Sequence, residues 1–160
     1  MRKKSVITVF LTLLFSGGLF QAFAGDSLYG KITEVRSADV VILDNGGPKP
    51  YVIRIIGVDV PKEGTIANDA KQFVAKLVLG KNARLRLGSR TENGEFVGKL
   101  FTDDPEIGIK DVGLELVRSG LARRRQGEDY QFGYTYHELT KAEEEARKAQ
   151  RGLWAPSRPK

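Results

Sequence analysis

Tyr51-Val52-Ile53-Arg54-Ile55-Ile56-Gly57-Val58 decides the fold. It is apolar throughout except for Arg54, too short for a helix of ordinary length and rich in β-branched residues, so it reads as a strand buried on both faces. Upstream, Leu28 to Val35 and Val40 to Leu43 are two further strand-forming runs, and Asp44-Asn45-Gly46-Gly47-Pro48 supplies the turn into Tyr51. Three strands in close succession make a meander. Downstream the period changes. Over Thr65 to Leu79, Ala67, Ala70, Phe73, Val74, Leu77 and Val78 fall on one helical face, with Gly80 at the C-cap. Ala83 to Leu87 alternates again, with Leu85 and Leu87 opposite Arg84 and Arg86. Asn93-Gly94 marks a tight turn, and Phe96 to Thr102 returns as a strand.

Two helices complete the chain: a short one capped by Asp111, running through Val117 and ended by Gly120, and a charged one over Tyr136 to Gln150, stopped at Gly152. Leu139, Ala142, Ala146 and Ala149 mark the apolar face of the second. The order is β-β-β-α-β-β-α-α, an α+β chain that is mainly β. Five strands remove their unpaired edges by curling into a small barrel with flanking helices, and the OB-fold is the usual five-stranded solution. Periodicity alone leaves an open α+β sheet beside it.

The first residues address the compartment. Arg2, Lys3 and Lys4 precede an apolar run from Val6 to Phe15, weakly extended to Phe20, and Ala22-Phe23-Ala24 is a small-x-small cleavage pattern. Residues 1–24 are expected to be a signal peptide, the mature protein to begin at Gly25 in the periplasm or outside the cell, and no integral membrane role to remain after cleavage. A permanent span needs about 20 apolar residues, and Ser16, Gly17, Gly18 and Gln21 interrupt this one. The chain has no cysteine, hence no thiol for a disulfide or a thiolate metal site. It carries 26 basic and 20 acidic side chains. Without the three basic residues of the leader the excess is +3, so only local charge distribution can argue for nucleic acid. Residues 25–155 have the size of one domain, presumed monomeric, and 156–160 read as a frayed tail.

Several segments together resemble the staphylococcal nuclease-like (thermonuclease) family. They are Gly30-Lys31-Ile32 with Ala38-Asp39-Val40-Val41, Ile53 to Pro61, Leu77-Val78-Leu79-Gly80-Lys81, Leu116 to Ala122, and Ala142-Glu143 through Arg151-Gly152-Leu153-Trp154. The resemblance implies an OB barrel that binds nucleic acid and hydrolyses phosphodiesters with calcium. It further implies two aspartates and a backbone carbonyl on the ion, a glutamate that activates water, and two arginines on the phosphate. Hard oxygen ligands suit calcium, and positive groups stabilise charge developing on phosphorus. Carried over by position, Asp39, Asp59 and the Val60 carbonyl would hold the metal and Arg54 would be the first arginine. The glutamate position falls on Lys62, with Glu63 one residue later as a stand-in; the second arginine position falls on Gly98, with Lys99 alongside. Tyrosines expected after Ala122 to stack on the nucleotide are replaced by Arg123-Arg124-Arg125-Gln126.

Elementary chemistry weighs on each of these. Arg54 in an apolar strand must face a carboxylate or an anion, since an unpaired buried charge costs several kcal/mol; an ion pair with Asp39 or Asp59 answers that need as well as a ligand does. Asp39 and Asp59 near strand ends are by default solvated turn residues. Lys62 offers no lone pair when protonated, so it is no general base, and it repels calcium. Glu63 would need the Val60-Pro61-Lys62 turn to rotate. Arg123, Arg124 and Arg125, together with Lys99, form a candidate phosphate-tracking set. The following Tyr130, Phe132, Tyr134 and Tyr136 suit base stacking on a single strand or packing beneath the last helix. His137, the only histidine, reads as a helix-face residue and Trp154 as a core plug. Three functions follow: a nucleic-acid-binding module with little or no hydrolysis, which is favoured; an active calcium-dependent endonuclease; and a protein-interaction module.

Overall fold

The computed structural model describes residues 27–127 and 136–156. Among these residues seven strands and three α-helices follow in the order β1 (Ser27–Ser37), β2 (Val40–Asp44), β3 (Tyr51–Ile55), β4 (Val58–Asp59), α1 (Thr65–Val78), β5 (Asn82–Arg90), β6 (Phe96–Thr102), α2 (Val112–Arg118), β7 (Arg123–Arg124) and α3 (Tyr136–Lys148), followed by a 3-10 turn at Gly152–Trp154.

Five strands close into a barrel in the order β1-β2-β3-β6-β5, with β5 pairing back onto β1. All neighbours are antiparallel except β3 and β6, which run parallel with Ile53 opposite Phe96 and Arg54 opposite Val97. Closure leaves no barrel edge to be capped. The alternation seen in the sequence sets the faces. Leu85 and Leu100, partners across β5 and β6, point inward and are fully buried, as are Ile32, Leu43 and Ile53. The five-stranded mainly β barrel with flanking helices is therefore the fold, and the open-sheet alternative is not.

The central strand is shorter than its apolar run. Gly57 adopts φ +79°, in the left-handed region that side chains avoid, and the turn at Ile56-Gly57 ends β3 at Ile55. The chain then re-enters as the two-residue β4, which pairs antiparallel with β7 as a separate small sheet. Neither of these short strands is visible in the sequence pattern, because two residues carry no period.

Helix α1 buries Ala70, Val74 and Val78 against the barrel. Its C-cap is Leu79 rather than Gly80, whose N–H donates to Ile32 O of β1 at 2.8 Å. Asp111 caps α2 as expected, accepting from Leu114 N. Helix α3 buries Leu139, Ala142 and Ala146, whereas Ala149 is exposed. It stops at Gln150, at φ 51°, before Gly152 is reached; Gln150 N bonds Arg147 O and Arg151 N bonds Ala146 O, the two bonds of a Schellman stop. Gly120 and Gly152 then meet backbone to backbone. A Cβ on either would collide with the other segment's carbonyl, and Leu153 N donates to Gly120 O at 2.8 Å. That clamp fixes the C-terminal segment beside β7, and so beside the site.

Candidate functional site

The tight turn between β1 and β2 presents Asp39. Its carboxylate is buried, with 1% of the residue exposed, and its main-chain carbonyl accepts from Ile55 N at 2.8 Å, tying the turn to β3. Ser37 Oγ donates to Oδ1 at 2.7 Å. The second oxygen faces two cations: Arg54 Nη1 at 3.3 Å and Lys62 Nζ at 3.6 Å. Burial pushes the Asp39 carboxyl up, but the Ser37 hydroxyl, the Lys62 ammonium and the Arg54 guanidinium outweigh it and hold the group below the ordinary carboxylate value.

Arg54 is fully engaged. Its Nε and Nη2 both donate to Glu95 Oε2, at 3.0 and 2.9 Å, while Nη1 serves Asp39. The guanidinium is half-exposed between two carboxylates, on a residue whose cross-strand neighbours are Val40 and Val97. Glu95 sits at the end of the hairpin joining β5 and β6. It is fixed by reciprocal bonds with Thr91, through Thr91 N to Glu95 O and Glu95 N to Thr91 Oγ1. Sequence reasoning missed it. The parallel pairing of β3 with β6 brings Glu95 to Arg54 across 41 residues, and no local pattern announces a parallel pairing. The result is a chain of alternating charge, Lys62, Asp39, Arg54 and Glu95.

Two clefts flank this chain and meet at Val60-Pro61-Lys62. The smaller, about 130 Å³, is lined by Arg36, Ser37, Asp39, Lys62, Asn68 and Lys71 among others. The larger, about 320 Å³, is lined by Asp59, Val60, Pro61, Lys62, Arg123 and Leu153. Asp59 owes its place in the larger cleft to the pairing of β4 with β7, which sets it opposite Arg123. Glu63 is exposed in the bend before α1 and lines neither cleft.

The charge around Asp39 does not suit calcium: its carboxylate, expected on the ion, is already met by two cations, Arg54 and Lys62, and among the described residues no three Asp, Glu, His or Cys side chains gather as a metal-holding group.

The arginine run divides in three. Arg123 is exposed on the larger cleft, with its guanidinium 5.4 Å from the Trp154 ring. Arg124 is half-buried and its N–H donates to Glu143 Oε1, and Arg125 is half-buried with its N–H on Gly57 O. Lys99 leaves the set altogether. Only 7% of it is exposed. Burial lowers the pKa of its ammonium while the charges of Asp111 and Glu138 oppose that, and so little exposure leaves it poorly placed to track a strand of phosphates. Nor is Gly98 a place for an arginine: a Cβ there would collide with Arg86 O across the β5–β6 pair, so the position is held open for close strand approach. Tyr130, Phe132 and Tyr134 lie outside the described residues. Tyr136 opens α3, and His137 is exposed on that helix. Trp154 is half-buried, with Arg147 3.9 Å from its ring, and caps the C-terminal segment without entering the core.

A barrel of this topology with an aspartate–arginine pair at the β1–β2 turn meets a match in sequence. The family model described as staphylococcal nuclease homologue matches residues 52–156. The chain belongs to that family. A "probable staphylococcal-like nuclease" of Oryza sativa subsp. japonica is 26% identical over 140 residues, covering 87% of this chain and 38% of its own length. An uncharacterised 38.1 kDa protein of Capnoides sempervirens is 31% identical over 116 residues (69% of this chain, 30% of its own). A "probable endonuclease" of Phaeosphaeria nodorum is 28% identical over 111 residues (64% and 37%). The chain thus spans well under half the length of these relatives, which carry further sequence beyond the shared domain. At the site this chain carries Lys62 beside Asp39 and Glu95 beside Arg54.

Proposed function

We propose that this protein is an exported staphylococcal nuclease-like domain that binds nucleic acid and hydrolyses it weakly or not at all. The observation that carries this reading is the contact of Lys62 with Asp39. A carboxylate that would have to be free for a metal is instead neutralised, and the residue at the general-base position has no lone pair to accept a proton. Arg54, which would grip the scissile phosphate, donates from three nitrogens to Asp39 and Glu95. Calcium is accordingly not expected at this site. Binding is assigned to the larger cleft, where the exposed cations Lys62 and Arg123 stand over Pro61 and Leu153, apolar surface on which a base can rest. Export rests on the basic and apolar leader of residues 1–24, which places the mature domain in the periplasm or outside the cell.

The test is digestion of single-stranded DNA and RNA by the purified protein, with calcium and with a chelator, beside a salt-dependent binding titration. Binding that weakens as salt rises, without chelator-sensitive cleavage, is the expected result. Robust cleavage abolished by chelator would instead favour the endonuclease reading that the relatives' names suggest, with Glu63 as its base; Glu63→Gln would then abolish cleavage and Lys62→Ala would not. Absence of any binding would leave the protein-interaction reading.

A further inference from the structure

We propose that the smaller cleft, between Arg36, Lys62 and Lys71, is a binding pocket for a phosphate group. Three cationic side chains and one carboxylate line it, and the carboxylate, Asp39, is already offset by Arg54 from the far side. Lys62 directs one of its three N–H donors at Asp39, yet its side chain is 72% exposed, so donors remain for a ligand on the solvent side. Lys71 rises from α1 into the same cleft, with no carboxylate within 4.0 Å of its ammonium among the described residues. The Asn68 amide stands one helical turn before it and adds neutral donors. Among the described residues Arg36 has one ion pair, an exposed contact with Glu34 at 3.4 Å, which an anion can displace at little cost.

The neighbouring arginine cannot serve instead. Arg54 already donates to Glu95 through its Nε and Nη2 pair, the arrangement a phosphate would need. An incoming anion therefore finds its available cations on the α1 side of Lys62. Lys62 lies on both clefts, so a chain of phosphates crossing Pro61 would place one group in this pocket and another toward Arg123. That extension to a strand rests on the nucleic-acid reading above; the pocket itself does not.

Melting of the purified protein with inorganic phosphate, against chloride at equal ionic strength, tests the pocket. A ligand that binds only the folded state raises the transition, here by about 2–4 °C at a few times its Kd. Lys71→Gln should remove most of the rise, and Lys71→Arg and Arg123→Gln should keep it. No rise beyond chloride, or an equal rise in Lys71→Gln, overturns the proposal. A short oligonucleotide with and without a terminal phosphate separates the two sources of the group. Tighter binding of the phosphorylated form, lost in Lys71→Gln, assigns the pocket to a strand end; equal binding weakened by Lys71→Gln assigns it to an internal phosphate; equal binding untouched by Lys71→Gln, with the phosphate rise intact, refutes the strand and keeps a free-phosphate site. Loss of all oligonucleotide binding with the rise intact sinks the nucleic-acid reading alone.

Discussion

The ammonium of Lys62 stands 3.6 Å from Oδ2 of Asp39, the oxygen that Arg54 Nη1 also reaches. A buried carboxylate held by two cations and a hydroxyl must lose stability when protonated, and the sign follows from its depressed pKa. The contribution is fully present above the unfolded value of about 3.9 and is lost as pH falls through the lower folded value. The acid limb of the stability curve should therefore be shallower in Asp39→Asn than in wild type below about pH 4, as urea unfolding across pH would show. Parallel limbs would mean that Asp39 is not linked to folding through its charge.

The two cations on Asp39 are not equal. Arg54 joins a buried carboxylate to Glu95 through three donated bonds, while Lys62 is mostly in water. Arg54→Met strands both carboxylates and should cost about 2–4 kcal/mol. Lys62→Ala breaks a pair whose lysine is solvated and should cost no more than about 1 kcal/mol. Denaturant midpoints at neutral pH give both values, and a reversed order would mean that Lys62 carries the site.

Much of this site was legible in the sequence, in a particular way. Asp39, Arg54 and Asp59 were singled out by position in the family resemblance, and the pairing of Arg54 with Asp39 was the alternative that charge burial alone suggests. Lys62 declared itself through its charge. What stayed hidden depended on contacts across long separations. Glu95 reaches Arg54 only because β3 and β6 pair in parallel, and Asp59 stands opposite Arg123 because two residues at each end form a sheet too short to have a period. Lys99 was placed by its position next to Gly98, which does not reveal that it is buried. In the barrel itself, all five strands were read within a few residues of their ends, from alternation in β5 and from apolar runs in β2 and β3.

Arg123 should carry most of the electrostatic binding of the arginine run. It alone of the three is exposed on the larger cleft, and Arg124 and Arg125 are half-buried. Each phosphate contact adds about 0.7 to the logarithmic salt slope for a single strand. Arg123→Gln should reduce the slope by about that amount, and neutralising all three should take little more. Lys99→Met should leave affinity unchanged within about twofold, because a buried ammonium contributes no direct phosphate contact. Fluorescence anisotropy at four or five salt concentrations measures these slopes. A slope that falls threefold further in the triple variant would return Arg124 and Arg125 to the site.

The last prediction concerns what the charges at 62 and 95 withhold. The resemblance implies an acidic group at the position of Lys62 and a second arginine at that of Gly98, while the side chain standing beside Arg54 is Glu95. If Lys62 takes the place of a divalent ion, millimolar calcium should leave the wild-type melting temperature unmoved in phosphate-free buffer. Lys62→Glu removes the ammonium and adds a carboxylate next to Asp39, which then keeps only Arg54 and Ser37 of its direct partners among the described residues. Two adjacent carboxylates repel, so this variant should be less stable without metal and should gain a calcium-dependent rise of several degrees. The rise should be absent with a chelator. Adding Glu95→Arg supplies the second cation and should bring a trace of calcium-dependent cleavage, since charge stabilisation and a base together typically contribute several powers of ten. A clear calcium-induced rise in the wild type would show that the ion binds despite Lys62 and would end this account of the site.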